Sequence, residues 1–301
     1  MKDRKIKNTA SRIPNLICPG AQKAGTTTLF LLLSQHPQIC RSIGKEIKFF
    51  NNYYHKGIDW YSTDSEETLK AKFIMDFTPG YMTEELWVQR MKDTLDDDAR
   101  LIIILRNPVD RMYSTYNMYL NIGLELNTNA GKAFDRDYRE YKAGKTTTNY
   151  YRHTLYSEQI KYIFDRFHRD KVKIILFEEM VADPKSTVCD ILDFLGLEHI
   201  EGMNFDIWKN KAGEKIPSGL FRIVRKLLDF IPKKLRNRLP DGLLRSMRKF
   251  FSKRNTTNKR TISYHKDPEV CRILMERLSD DIADLEKILG KDLSSWKEKY
   301  K

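Results

Sequence analysis

Apolar residues along this chain form short continuous runs, separated by longer stretches in which they recur every three or four positions. Ile13 to Cys18 predicts a short buried strand, broken by Pro19–Gly20. Leu29, Leu32 and Leu33 fall at helical spacing and predict a helix over 25–34. Phe73 to Phe77 predicts a second strand, and Glu84 to Thr94 a helix. The clearest strand is Leu101 to Leu105, an unbroken Leu/Ile run of the kind buried on both faces of a parallel sheet. Pro108 suits the first turn of a helix that runs to about Asn121. Further helices are predicted over 134–142 and 154–168, with a strand over 172–177. Asp183–Pro184 opens a helix that runs to Leu195 and stops at Gly196; Asp267–Pro268 opens another that ends at Leu289–Gly290.

Strands alternating with helices predict an α/β fold, a P-loop three-layer αβα sandwich around a central parallel sheet. With 301 residues the chain is long enough for one large domain. Residues 1–12 read as a flexible tail and 13–301 as a single domain, with a basic helical insertion at about 216–258.

Composition adds limits. No apolar run reaches the ~18–20 residues of a membrane span. The start, Met1 to Asn15, is polar and basic and has no apolar segment of a secretory signal, so a cytoplasmic location is expected. Cys18, Cys40, Cys189 and Cys271 form no C-x-x-C pair and no metal spacing with His; they are expected as small buried hydrophobes. The net charge of +13 is concentrated: between Arg222 and Arg260 there are 14 Lys or Arg against Asp229 and Asp241. Such a field gathers anionic partners.

Two stretches carry candidate chemistry. Gly20-Ala-Gln-Lys23-Ala24-Gly25-Thr26-Thr27-Thr28 lies between the first strand and the first helix. Glycines let backbone N–H groups turn toward an anion, and the helix N-terminus adds partial positive charge. The nucleoside-triphosphate form of this loop places Lys directly after the second glycine. Here that position is Thr26, and the lysine is Lys23 inside the loop. The second stretch is Leu105-Arg106-Asn-Pro, with Ser114 eight residues after Arg106. Arg106 leaves the carboxyl end of its strand, where α/β folds bind ligands, and guanidinium plus hydroxyl suits a phosphate monoester. Taken alone, each stretch also has a structural reading: a tight turn, and an arginine capping the sheet.

Together these stretches resemble the sulfotransferase family, which takes a sulfuryl group from 3′-phosphoadenosine 5′-phosphosulfate (PAPS). The loop from Pro19 to Thr28 resembles the family's 5′-phosphosulfate loop, and Leu105 to Ser114 its 3′-phosphate motif. Lys45-Glu46-Ile-Lys48-Phe49-Phe50, then Tyr54-His55-Lys56-Gly57-Ile-Asp-Trp60-Tyr61 and Thr78-Pro79-Gly80-Tyr81, are similar to the heparan sulfate N- and O-sulfotransferase branch, which includes bacterial carbohydrate sulfotransferases. Lys259-Arg260-Thr261 resembles the basic loop that closes over the nucleotide. One departure stands out: the heparan-type enzymes often carry Lys just before Thr-Pro, and here Phe77 holds that place.

The resemblance implies PAPS as co-substrate with no metal. Lys23, Ala24, Gly25, Thr26, Thr27 and Thr28 would hold the phosphosulfate, Arg106 and Ser114 the 3′-phosphate, and Lys259, Arg260 and Thr261 the closing contacts. Lys23 would steady the charge on the departing phosphate, Glu46 would act as base, and Lys48 would support the sulfonate or the acceptor. Glu46 also reads as a surface carboxylate paired with Lys45 or Lys48. His55 and Trp60 are expected to pack, His36 to be structural, and Phe49, Phe50, Tyr53 and Tyr54 to line the acceptor cleft or the core.

Partners expected are PAPS and a glycan or glycolipid acceptor, with no nucleic acid. Residues 222–254 have three readings: a solvated amphipathic face, a dock for an acidic glycan or glycolipid, and contact with an anionic inner-membrane surface. Two rivals belong to other classes. One is a P-loop kinase or NTPase with Phe73-Ile-Met-Asp76 as its metal strand. The other is a non-catalytic polyanion-binding protein.

Overall fold

The computed structural model describes residues 11–42, 44–145, 150–209 and 266–300. The expected tail up to residue 10, the basic insertion at about 216–258 and the Lys259-Arg260-Thr261 loop lie outside the described residues. Arg12 belongs to the fold: it exchanges backbone hydrogen bonds with Thr63, and its guanidinium donates to Thr68 O at 2.9 Å.

Contacts gather into two compact units: Met1–Arg111, Arg152–Asn210 and Met275–Lys301 form the first, and Met112–Tyr151 with Lys211–Leu274 the second. The first unit holds a sheet of five strands: β1 (Leu16–Ile17), β2 (Ile39–Arg41), β3 (Phe73–Asp76), β4 (Arg100–Leu105) and β5 (Val172–Leu176). The order is β2-β3-β1-β4-β5 and every pairing is parallel, with Leu16 opposite both Met75 and Arg100, and Leu105 opposite Leu176. Leu101 to Leu105 are all fully buried, as the unbroken apolar run requires of a strand covered on both faces. β1 therefore sits between β3 and β4, so the loops leaving β1, β3 and β4 emerge side by side at the carboxyl edge.

The helices follow in order: α1 (Thr26–Leu33), α2 (Ile58–Tyr61), α3 (Glu66–Lys70), α4 (Glu85–Thr94), α5 (Pro108–Asn121), α6 (Ala130–Lys142), α7 (Tyr156–Phe164), α8 (Phe177–Ala182) and α9 (Pro184–Leu195). Their ends have local causes. Asp183 caps α9 by accepting from Ser186 N at 2.9 Å, and Gly196 ends it in the left-handed region at φ 60°. Ser65 caps α3 by accepting from Thr68 N at 3.3 Å. A 22-residue helix, Pro268–Leu289, follows Asp267, whose carboxylate accepts from Glu269 N.

The second unit includes α6 and most of α5. Its described core is aromatic, with Phe134 meeting Tyr113 and Tyr150 edge-on at 5.2 Å each. Glu125 is buried there, accepting from Arg136 Nη2 at 2.5 Å, Tyr150 OH at 3.2 Å and the N–H groups of Leu126 and Asn127. Those donors hold its carboxyl below the usual range despite burial.

Cys18 and Cys271 are buried, whereas Cys40 and Cys189 are half-buried, so the expectation of four core cysteines holds for two. Burial pushes the Cys18 thiol up to about 12. His36 is structural as expected: it is buried, and its ring meets Glu198 O and Gln38 N.

Candidate active site

Glycine shapes the loop between β1 and α1. Gly25 precedes the helix at φ 87°, and a Cβ there would come within 2.9 Å of Met180 Cε and 3.0 Å of the Phe177 ring. A Cβ on Gly20 would collide with Met82 Sδ at 1.7 Å. Lys23 also adopts a positive φ, 69°. The loop is tied to the neighbouring strand, because Ala21 N donates to Ile104 O at 2.7 Å and Ile104 N donates to Gly20 O at 2.9 Å. The chain thus enters α1 at the positive end of the helix, where Thr28 N already donates to Gly25 O at 3.0 Å and the N–H groups of Thr26 and Thr27 open the first turn.

Arg106 leaves β4 beside this loop. Its Nη1 donates to Lys23 O at 3.0 Å, and its guanidinium lies 4.4 Å from the Phe177 ring centroid. Arg106 Nε is buried without a hydrogen-bond partner among the described residues. A buried donor left unspent normally calls for a ligand or water. An arginine oriented by a carbonyl and an aromatic face, with that donor in reserve, fits an anion. Arg111 is fully buried and donates to the Thr154 hydroxyl. Burial, with Arg111 and Arg152 nearby, pushes His153 down to about 3, so that imidazole is neutral. Ser114 lies on the part of α5 that belongs to the second unit.

A third segment, Lys45–Phe49, runs along the end of β3 and is fastened at four successive points. Phe77 N donates to Lys45 O at 2.9 Å, Ile47 N to Asp76 Oδ1 at 3.5 Å, Lys48 N to Thr78 Oγ1 at 3.2 Å and Phe49 N to Tyr81 OH at 2.8 Å. Asp76 organises this brace. It is fully buried and accepts from the hydroxyls of Thr78 at 2.6 Å, Tyr81 at 2.8 Å and Tyr61 at 3.1 Å. Burial pushes its carboxyl up to about 6 against the pull of those donors. With Ile47 N, four donors use the carboxylate's lone pairs. The rival reading of Asp76 as a metal ligand therefore fails on geometry.

The brace presents Glu46. Its Oε1 lies 3.4 Å from Lys45 Nζ and its Oε2 3.6 Å from Lys48 Nζ, with 38% of the side chain exposed. Lys45 Nζ also donates to Thr26 Oγ1 at 3.2 Å, so the carboxylate and the helix-start loop share one ammonium group. Phe49 and Phe50 are core, with Phe49 stacked on Tyr61 at 4.3 Å. Tyr53 and Trp60 are exposed at the surface, their rings 4.9 Å apart with Lys56 Nζ over both, and Trp60 packs as expected, stacked on Phe49 at 6.2 Å; His55 is exposed instead of packed.

The structure thus brings Lys23 to Arg106, and Thr26 to Lys45, Glu46 and Lys48. Sequence reasoning named Lys45 only as a partner for Glu46 and not as a site residue, and it missed the Tyr61–Asp76–Tyr81 brace. The available signal was an acidic residue closing an otherwise apolar strand just before Thr78-Pro79-Gly80-Tyr81.

The family model described as "Sulfotransferase domain" matches residues 14–216. This chain belongs to that family. Its members similar to this chain include the mouse (Mus musculus) heparan sulfate glucosamine 3-O-sulfotransferase 3B1, 30% identical over 193 residues, which are 64% of this chain and 48% of that protein. The human (Homo sapiens) bifunctional heparan sulfate N-deacetylase/N-sulfotransferase 1 is 36% identical over 118 residues, covering 36% of this chain and 13% of that one. The chain spans about half the length, or less, of these curated relatives. A solved sulfotransferase from Alicyclobacillus acidocaldarius is similar along nearly the whole chain, at TM-score 0.62 and 25% identity, covering 95% of this chain and 99% of that one. That family likeness agrees with the P-loop αβα architecture of the first unit. Among the described residues no helix is long and apolar enough to cross a membrane.

Proposed function

We propose that this chain transfers the sulfuryl group of PAPS to a hydroxyl or amine of a carbohydrate or glycolipid acceptor. The observation that carries this reading is the juncture of the glycine loop, the Arg106 guanidinium hydrogen-bonded to Lys23 O, and the Glu46 carboxylate joined to Thr26 through Lys45. Two anion-binding segments at the ends of adjacent strands match a nucleotide carrying charge at both its 3′ and 5′ positions. Thr26, in place of the loop lysine, argues against a magnesium-bound triphosphate.

In this reading the backbone N–H groups of Ala24 to Thr27 and the hydroxyls of Thr26, Thr27 and Thr28 hold the phosphosulfate. Arg106 and, by family resemblance, Ser114 take the 3′-phosphate; Lys259, Arg260 and Thr261 are assigned to the loop closing over the nucleotide on resemblance alone. The acceptor oxygen or nitrogen forms a bond to sulfur as the bond from sulfur to the bridging phosphate oxygen breaks. The electron pair leaves with the 5′-phosphate, steadied by Lys23, and the acceptor's proton goes to Glu46. Lys48 helps hold the acceptor or sulfonate. Positioning and charge stabilisation dominate in such displacements.

A polyanionic sugar acceptor is supported by the names of the heparan sulfate relatives and by the net charge of +13. Contact of residues 222–254 with an anionic inner-membrane surface, and with it a cytoplasmic peripheral location, rests on charge alone. The test is incubation with sulfur-labelled PAPS and separate panels of cell-envelope glycans, glycolipids and small alcohols. Label in a glycan or glycolipid fraction supports the reading. Label only in small alcohols, or none anywhere, overturns the acceptor assignment.

A further inference from the structure

In the heparan-type resemblance a cation often comes from the position just before Thr-Pro, which here is Phe77. Position 77 cannot supply it. Phe77 is fully buried, with its ring edge against Phe30 at 5.5 Å. Its backbone N–H donates to Lys45 O at 2.9 Å, which sets residues 45 and 77 side by side. From there the Lys45 side chain reaches Thr26 Oγ1 at 3.2 Å and Glu46 Oε1 at 3.4 Å. Thr26 occupies the loop position that holds lysine in nucleoside-triphosphate enzymes. An ammonium group has therefore come to that hydroxyl from a different segment.

The geometry assigns Lys45 as the cation that meets the transferred sulfonate. This rests on the sulfotransferase reading of the site. Three features fit the role. The ammonium stands between the loop that would hold the donor and the carboxylate that would take the acceptor's proton. That is where the sulfonate must pass, since the acceptor attacks sulfur while the bridging oxygen departs toward the loop. The side chain is 20% exposed, so it is screened less than a surface lysine. Its backbone is fixed by the Asp76 brace, so the charge is held in place before the donor arrives. Once a sulfonate competes for the ammonium, Glu46 Oε1 loses a partner and becomes the better base, which couples donor arrival to proton removal.

Adenosine 3′,5′-bisphosphate (PAP) lacks the sulfonate, and the comparison of PAP with PAPS isolates this role from a merely structural one. Affinities for both are measured calorimetrically, with the rate of PAP release from PAPS, for the wild type, Lys45→Met, Lys45→Gln and Lys45→Arg. The neutral variants are expected to keep PAP affinity within about threefold while PAPS affinity or PAP release falls at least tenfold. Arginine should restore most of the loss. Parallel loss of PAP and PAPS binding would assign Lys45 to loop structure, and unchanged values for both would remove it from the site; either overturns the inference. Should the wild type bind neither nucleotide, the donor assignment itself fails, an outcome separate from the other two.

Discussion

Replacing Asp76 by Asn tests whether the brace behind Glu46 is held at a cost in stability. In the folded protein the Asp76 carboxyl takes up its proton near pH 6, pushed there from 3.8 by complete burial. Between those values the folded chain binds a proton that the unfolded chain does not. This group's contribution to stability is therefore full below about pH 4 and is lost as pH rises through about 6. The rise from 3.8 to about 6 corresponds to about 3 kcal/mol at neutral pH. Asparagine keeps the shape and does not titrate. The unfolding free energy of Asp76→Asn minus that of the wild type should thus grow by about 2 kcal/mol between pH 4, where the unfolded carboxyl is already partly ionised, and pH 7.5, because other groups cancel in the difference. Urea unfolding at the two pH values measures it. Sulfuryl transfer should fall at least tenfold at pH 7.5 in the same variant, since an amide cannot accept from Ile47 N and three hydroxyls together. A difference that stays level with pH, or shrinks as pH rises, would refute the reasoning.

Glu46→Gln should lower transfer by about 10²–10⁴-fold, the usual contribution of a general base, with PAP affinity changed less than about threefold. Lys23→Ala and Arg106→Ala should each cut turnover at least tenfold, and Arg106→Ala should also weaken PAP binding if, as proposed, Arg106 takes the 3′-phosphate.

What the sequence made legible follows from how local the cause was. α5 and α9 appear with the bounds read from Pro108, Asp183–Pro184 and Gly196, because caps and proline act within a few residues. α7 is shorter than its apolar pattern, Tyr156–Phe164 against 154–168, since Thr154 closes a separate 3-10 turn over Arg152–Thr154 and Asp165 caps the far end. β2 was not foreseen: three residues at a sheet edge carry too little pattern, and they gain strand geometry from pairing with β3. The glycine loop and Arg106 were readable from spacing after a strand. Lys45 and the tyrosines of the brace were not, because residues 61, 76 and 81 meet residues 45–49 only once β3 lies next to β2, the strand that leads into them. A long-range encounter between short polar segments leaves no periodic trace.

Binding of PAP without magnesium tests the central claim most directly. Titration of PAP into the full chain in the presence of a chelator should show one saturable site and a raised melting temperature, with ATP and magnesium giving neither. A chain that ignores PAP but is stabilised by magnesium-bound ATP would contradict it.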